Sequence, residues 1–239
     1  MNNYFSGRLQ SVKIGDTKSS PLNINLGVPQ GSVLGPLLFL IYINDLPYFL
    51  NHISCKLFAD DTTLSFSASS LTDCISHLNV GLSKLLDWCK YNFLYINWSK
   101  TYAMIITNKR CTRPVSLTFH NYKIEVVPKF KLLGVWIDAK LSFIDHVYET
   151  VNSVYKRLYC IKKLFYLSFN VKIQFFKTFI LPIFDYFLSI IIYFSKAAIT
   201  KLIKTYYFIL FKLFKFKFVN CDVDFINSSL SSYNIFAFE

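Results

Sequence analysis

The fold is decided by two stretches of the chain, Gly27-Val28-Pro29-Gln30-Gly31-Ser32-Val33-Leu34-Gly35-Pro36 and Phe58-Ala59-Asp60-Asp61. Glycine has no Cβ, so the first stretch can bring backbone close to a ligand. In the second, two adjacent carboxylates lie between apolar segments, where a turn can present them to a divalent cation. An isolated Asp-Asp pair is more often a solvated turn. The prediction that this pair binds a cation therefore depends on the two stretches occurring in this order.

Apolar patterning around these stretches predicts a mixture of strands and helices. Leu71–Tyr91 has leucines and isoleucine at three- and four-residue spacings, which predicts an amphipathic helix. Leu64 and Phe66 alternate with polar residues after the Asp-Asp pair, which predicts a hairpin built from 56–59 and 62–66. The remaining predictions are a helix or buried strand over 37–43 and strands over 11–14, 22–26, 103–107, 115–119, 123–127 and 131–137.

Beyond about residue 140 the pattern becomes helical. Ser142 and Asp145 have the spacing of a capping box at a helix start. An apolar seam with spacings of four and three follows, formed by Val147, Val151, Val154, Leu158, Ile161 and Phe165. Two further helices are predicted over 171–194 and 197–217, and the last residues carry little pattern.

The charge of the chain is concentrated in this helical part. The net charge is +12, with 26 Lys and Arg against 14 Asp and Glu. Residues 153–218 contain twelve of the basic residues and one acid, Asp185. Such a field favours a polyanionic partner. The alternative is codon bias from an AT-rich genome, because lysine far outnumbers arginine while Phe, Tyr, Ile and Asn are abundant.

Composition narrows the class of protein further. Hydrophobic residues make up 53% of the 239 positions, which indicates an ordered chain. The six cysteines show no zinc-binding spacing, and no signal peptide is recognisable at the start. An intracellular location with free thiols is therefore expected. The apolar stretch 175–194 is interrupted by Lys177, Pro182 and Asp185, so a buried helix is expected there and no stable membrane span.

Together, the two opening stretches resemble consecutive motifs in the palm of reverse transcriptases, and the closest resemblance is to non-LTR, LINE-type (jockey-like) retrotransposons. The resemblance covers nearly the whole chain up to about residue 215. It implies an α+β fold, with a partial polymerase palm (antiparallel sheet with helices) over 1–139. An all-helical basic thumb over 140–218 and a tail over 219–239 would follow. The implied reaction adds deoxynucleotides to a DNA primer 3′-end on an RNA template, with Mg²⁺ as the metal ion.

The resemblance also assigns roles to residues of the two stretches. Asp60 is implied to be the metal ligand and Asp61 its less direct partner. Phe58 stands where many relatives have tyrosine and keeps a ring to pack against the primer–template. Pro29, Gln30 and Gly31 are implied to lie beneath the incoming nucleotide and the template base.

Two weaker matches lie further along the chain, followed by a basic thumb. Lys100, within 97–101, is implied to lie near the triphosphate and to act as general acid, although it fits an ordinary surface lysine equally well. Gly134 resembles the glycine of a primer-grip hairpin, and the alternative is a buried strand that contains a glycine. Basic thumb residues that would contact the nucleic-acid backbone are Lys156, Arg157, Lys162 and Lys163.

The family has another catalytic aspartate on a strand upstream of the position of Gly27, and this sequence does not contain it. The expectation is therefore a truncated domain that is inactive by itself. Three function classes stay open: a polymerase completed by another chain, an inactive remnant that only binds nucleic acid, and an unrelated basic, membrane-associated helical protein.

Overall fold

The computed structural model describes residues 2–24, 27–29, 31–109, 112–161 and 166–214. Within them the chain forms two compact units, which divide between Ser99 and Lys100. Both units mix helices with small sheets that are mostly antiparallel, which confirms the α+β class. The finer division into a palm over 1–139 and a thumb over 140–218 stays a prediction.

The first unit consists of short strands followed by helices and one hairpin. Its elements are α1 (Asn2–Phe5), β1 (Leu9–Gln10), β2 (Lys13–Ile14), β3 (Thr17–Lys18), β4 (Leu22–Asn23), α2 (Gly35–Ile43), α3 (Leu46–Phe49), β5 (Ser54–Phe58), β6 (Asp61–Ser65) and α4 (Leu71–Tyr91). The predicted hairpin and the predicted 71–91 helix are confirmed. The run 37–43, which periodicity left open, is helical.

The core of this unit forms where α3 and α4 meet the hairpin. Leu46, Leu50, Leu85 and Trp88 are buried there. Helix α4 starts at its expected boundary because the hydroxyl of Ser70 accepts a hydrogen bond from the Asp73 N–H at 3.1 Å. Its apolar stripe then supplies one wall of the core.

Among the residues that the structure describes, the second unit begins with five strands. They are β7 (Tyr102–Ala103), β8 (Ser116–Phe119), β9 (Tyr122–Val126), β10 (Lys129–Leu132) and β11 (Val135–Asp138). Strands β8 and β9 pair antiparallel, and β7 adds to β9 in parallel. The prediction of one strand over 131–137 is wrong, because Leu133 and Gly134 form a two-residue turn between β10 and β11.

Helices complete the second unit: α5 (Ile144–Ile161), α6 (Phe169–Phe175), α7 (Leu181–Asp185) and α8 (Lys196–Phe214). A π-helical turn over Phe176–Ile180 joins α6 to α7, and a 3-10 turn covers Leu188–Tyr193. The prediction of one helix over 171–194 is therefore wrong in its continuity. Pro182 has no N–H for a regular helical bond, and the widened turn just before it accommodates the ring. None of the helices described is both long and apolar enough to cross a membrane.

The start of α5 differs from the predicted capping box. The carboxylate of Asp138 accepts hydrogen bonds from the Phe143 N–H at 2.8 Å and from the Ser142 hydroxyl at 3.0 Å. Asp145 instead forms an ion pair with Lys129 at 3.0 Å. Burial would raise the pKa of Asp138, but these bonds and one from the Lys140 N–H lower it below its ordinary value.

Helices α5 and α8 form the main core of the second unit and run parallel to each other. The apolar seam predicted on α5 is confirmed for Val147, Val151 and Val154, which are buried against α8. Contacts pair Ser142 with Ser195, Tyr148 with Lys201, and Tyr155 with Phe208. The offset between partners is therefore 53 residues throughout.

Candidate active site

The predicted acidic pair lies at the tip of the β5–β6 hairpin. Phe58 pairs with Asp61, so Ala59 and Asp60 form a two-residue turn. Ala59 has φ of 50°, in the left-handed region that side chains with a Cβ adopt at a cost. Both Asp60 and Asp61 are exposed. The tip therefore presents two carboxylates to solvent.

The two faces of this hairpin have different surroundings. Leu57 and Leu64 pack against the core of the first unit. Side chains that lie directly opposite each other share a face, so Asp61 lies with Phe58 on the other, solvent-facing side. The ring of Phe58 is 62% exposed. An aromatic ring and a carboxylate are thus available on one surface.

A network of hydrogen bonds holds the stretch before α2. The hydroxyl of Ser32 donates to the Pro29 carbonyl at 2.8 Å and accepts from the Gly35 N–H at 3.1 Å. The hydroxyl of Tyr4 contacts the same Ser32 oxygen at 2.6 Å. A Cβ at Gly35 would lie 2.9 Å from that oxygen, so the network requires glycine there. Helix α2 then contributes Ile43 to the core on which the hairpin packs.

Position 31 favours glycine because of its backbone conformation and not because neighbouring atoms would clash with a side chain. Its φ is +78°, and a Cβ there would meet no atom within 4 Å. Pro29 lies two residues before it in the folded loop, while Gln30 lies outside the described residues. Gly31 is exposed to solvent.

The acidic tip fits a magnesium ion as a partial site. Mg²⁺ takes oxygen ligands and is often held by one or two carboxylates, with water and substrate phosphates completing the sphere. Asp60 and Asp61 supply two such carboxylates. In the parts of the chain that the structure describes, no group of three or more Asp, Glu, His or Cys side chains gathers into a metal site.

A second hairpin, β10–β11, carries Gly134 at its tip. Leu133 and Gly134 have φ of 46° and 86°, the signature of a type I′ turn. The Tyr186 hydroxyl donates a hydrogen bond to the Leu133 carbonyl. A Cβ on Gly134 would lie 3.2 Å from the Tyr186 ring. This tip is therefore fixed by the residue that follows α7, a contact that the sequence did not indicate.

A groove of about 380 Å³ runs beside this second hairpin, lined by residues that include Lys131, Trp136, His146, Arg157 and Tyr186. The backbone N–H of Trp136 donates a hydrogen bond to Nδ1 of His146 at 3.4 Å, so this ring nitrogen is unprotonated. Burial, and to a smaller extent the charge of Lys131, lowers the pKa of His146. The groove thus combines a neutral imidazole with two cations, Lys131 and Arg157, and one carboxylate, Glu149.

The other predicted residues are placed as follows. Lys100 is exposed, ends a 3-10 turn and begins the second unit, whereas the acidic tip belongs to the first. Lys156 and Arg157 lie on α5, where Arg157 donates a hydrogen bond to the Phe179 carbonyl. Lys162 and Lys163 lie outside the described residues.

Comparison with known proteins identifies the family. The model of the family described as reverse transcriptase (RNA-dependent DNA polymerase) matches residues 2–137, a range that contains both hairpin tips. The chain belongs to this family. The resemblance to polymerases of non-LTR retrotransposons is confirmed by its relatives.

This reverse transcriptase chain is 31% identical over 66% of its length to the probable RNA-directed DNA polymerase from transposon BS of Drosophila melanogaster. It is 25% identical over 84% of its length to the RNA-directed DNA polymerase from mobile element jockey of the same species. It spans 18% and 23% of these two proteins, respectively. No solved structure is significantly similar to it.

Proposed function

We propose that this chain contributes the metal-binding hairpin of an RNA-directed DNA polymerase, which adds deoxynucleotides to a DNA primer on an RNA template. The observation that carries the proposal is the exposed Asp60–Asp61 tip, held on a folded core within the segment that matches the family. When bound, Mg²⁺ ions neutralise the triphosphate and activate the primer 3′-oxygen.

The residues of the chain have separate roles in this proposal. Asp60 and Asp61 hold the metal, and Phe58 packs beside them against the primer–template. The loop containing Pro29, Gln30 and Gly31 lies beneath the incoming nucleotide and the template base. Lys100 donates a proton to the leaving pyrophosphate.

The second unit supports nucleic acid in the same proposal. The β10–β11 tip at Gly134 approaches the primer, and Tyr186 keeps that tip in place. Lys156, Arg157, Lys162 and Lys163 contact the phosphate backbone of the duplex. The palm therefore ends near residue 139 and the thumb begins near residue 140.

The test replaces the aligned 213-residue segment of the jockey polymerase with this chain and measures RNA-templated primer extension. We expect extension that Asp60→Asn reduces to background. Asp87→Asn, which changes an exposed carboxylate on α4, is the matched control and should retain activity. A chimaera that binds template–primer but does not extend it, or an unaffected Asp60→Asn variant, contradicts the proposal.

A second candidate function is nucleic-acid binding without catalysis. Helix α8 contains four lysines and no acid, which favours binding whether or not the hairpin is active. Template–primer binding by the chimaera together with an absence of extension is the result that this candidate expects.

A further inference from the structure

Helices α5 and α8 carry an exposed surface of aromatic rings and lysines that the proposed polymerase chemistry does not use. We define the aromatic–lysine face by its members, Tyr148, Tyr155, Tyr159, Lys201, Lys204, Phe208, Phe211 and Lys212. The exposed fractions of Tyr148, Tyr155 and Tyr159 are 49%, 42% and 69%. Phe208 and Phe211 are each 39% exposed. Five large rings on two neighbouring helices are unusual for a solvent-facing surface, where isolated apolar side chains are the norm.

The parallel packing of the two helices generates this face. Tyr148 and Tyr155 are seven residues apart on α5, and Lys201 and Phe208 are seven apart on α8. The Tyr148–Lys201 and Tyr155–Phe208 pairs are therefore about 10 Å apart along the helix axes, which is roughly two helical turns. Because the helices run in the same direction with a constant offset, the rings of α5 and the lysines and rings of α8 line up along one edge of the α5–α8 pair.

Contacts within the face hold five of its eight members in place. The ammonium of Lys201 lies 3.9 Å from the centre of the Tyr148 ring, and that of Lys212 lies 5.5 Å from the centre of the Phe208 ring. Tyr155 and Phe208 meet edge to face, with ring centres 5.7 Å apart. Rings and cations are thus ordered before any ligand arrives, which lowers the entropy cost of binding.

The charge of the face selects a polyanion. Helix α8 contains four lysines and no acid, and α5 has no acid after Glu149. The acids near the start of α5 include Asp145, which is paired with Lys129. A partner with regularly spaced negative charges therefore complements this surface.

We propose that the aromatic–lysine face binds single-stranded nucleic acid, with unpaired bases stacking on the rings of Tyr155, Tyr159 and Phe211 and phosphates contacting Lys201, Lys204 and Lys212. Stacking on aromatic rings combined with a basic track is how proteins bind single strands without sequence preference. In a duplex the bases are already stacked on one another and do not reach the rings. An acidic peptide without aromatic residues, such as polyglutamate, would pair with the lysines but has no ring to stack on the tyrosines.

The test uses the 239-residue chain and oligomers of about 16 nucleotides, as RNA and as DNA, with a blunt RNA–DNA hybrid for comparison. Replacing Tyr155 and Tyr159 together by leucine should weaken single-strand binding at least about tenfold, while hybrid binding changes little. Quenching of a 2-aminopurine base in the oligomer should be lost in the same variant, since it reports stacking directly.

The matched control is Tyr193→Leu, which removes a tyrosine that is 67% exposed but not part of this face. It should bind single strands like the unmodified chain. Replacing Lys201, Lys204 and Lys212 by glutamine should reduce the salt dependence, with the slope falling by about 0.7 for each phosphate that is no longer neutralised. Tyr159→Leu alone keeps the test valid if the double variant unfolds, because that ring is the most exposed of the five.

Several results would overturn the inference. They are equal reductions in affinity for hybrid and single strand, quenching that persists without the tyrosines, competition by polyglutamate as effective as that by the oligomer, and no binding at low salt. Equal affinity for RNA and DNA would support the inference, and it would show that the face binds the bases and phosphates that both nucleic acids share. The readout is binding and not primer extension, so its outcome is separate from that of the polymerase proposal.

Discussion

The two hairpins β5–β6 and β10–β11 share an architecture but differ at their tips. Each has a two-residue turn with at least one residue at positive φ. The first tip presents Asp60 and Asp61 to solvent, whereas the Leu133–Gly134 tip is tied to Tyr186 by a hydrogen bond and by close ring packing. The same local structure therefore supports one tip that is open to solvent and another that is fixed in position.

The largest effect on stability is expected when the fixed tip is crowded. Gly134→Val places a β-branched residue at φ of +86° and a Cβ against the Tyr186 ring. The free energy of unfolding should fall by about 2–3 kcal/mol, measured by urea denaturation. Gly31→Val is the matched control, since φ is +78° there but a Cβ meets no atom within 4 Å, and it should cost less. An equal loss in free energy of unfolding in the two variants would show that the contact with the Tyr186 ring does not contribute to the effect of Gly134→Val.

His146 on helix α5, which accepts a hydrogen bond from strand β11 of the fixed hairpin, gives the second unit a pH dependence. His146 is buried and neutral, and its Nδ1 accepts the Trp136 N–H. Its pKa is lowered in the folded state, so only the unfolded chain takes up the proton as the pH falls below about 6.5. Stability should therefore decline with falling pH from that point, by at most about 1.4 kcal/mol per pH unit from this group. In His146→Gln this part of the slope should vanish, and an unchanged slope would assign it to other groups.

A smaller effect is expected from the hydrogen bond at the fixed tip. Tyr186→Phe keeps the ring and removes the donor to the Leu133 carbonyl. The free energy of unfolding should fall by about 0.5–1 kcal/mol, because the carbonyl regains a bond to water. Hydrogen exchange of amides in β10 and β11 should accelerate. If Tyr193→Phe, at an exposed position, has the same effect, the tip is not held by this bond.

The sequence predicts the open tip from local signals, whereas it predicts a hairpin at Gly134 only through the family resemblance. The acidic hairpin has two adjacent aspartates and alternating flanks, both of which are local signals. The β10–β11 turn has leucine at positive φ, where turn-forming residues are expected, so apolar patterning predicts one strand over 131–137 and only the resemblance indicates a hairpin there. Tyr186 contacts Leu133 across 53 residues of sequence, and only the folded chain brings them together.

The helices show the same division between local and tertiary control. Helix α4 was predicted to the residue because its cap and its apolar stripe are local. The cap of α5 was missed because Asp138, on the preceding strand, replaces the box of Ser142 and Asp145. The sequence predicts one continuous helix over 171–194. The π-helical turn that interrupts it before Pro182 has no simple sequence pattern.

The basic surface was predicted only in part. The sequence predicts nucleic-acid contacts at Lys156, Arg157, Lys162 and Lys163, which are close together along the chain. The aromatic–lysine face needs the pairing of α5 with α8, which periodicity within one helix does not reveal. The seven-residue spacing of Tyr148 and Tyr155 and the absence of acids from α8 were the available signals.

Metal binding by the open tip tests the central claim most directly. Mn²⁺, as a paramagnetic substitute for Mg²⁺, should bind the purified chain, and electron paramagnetic resonance counts the bound ion without any need for activity. We predict that Asp60→Asn weakens this binding at least about tenfold, because the ion loses a charged oxygen ligand. The Asp87→Asn control should bind like the unmodified chain. Equal Mn²⁺ affinity in Asp60→Asn and the unmodified chain would contradict the claim that this tip holds the metal.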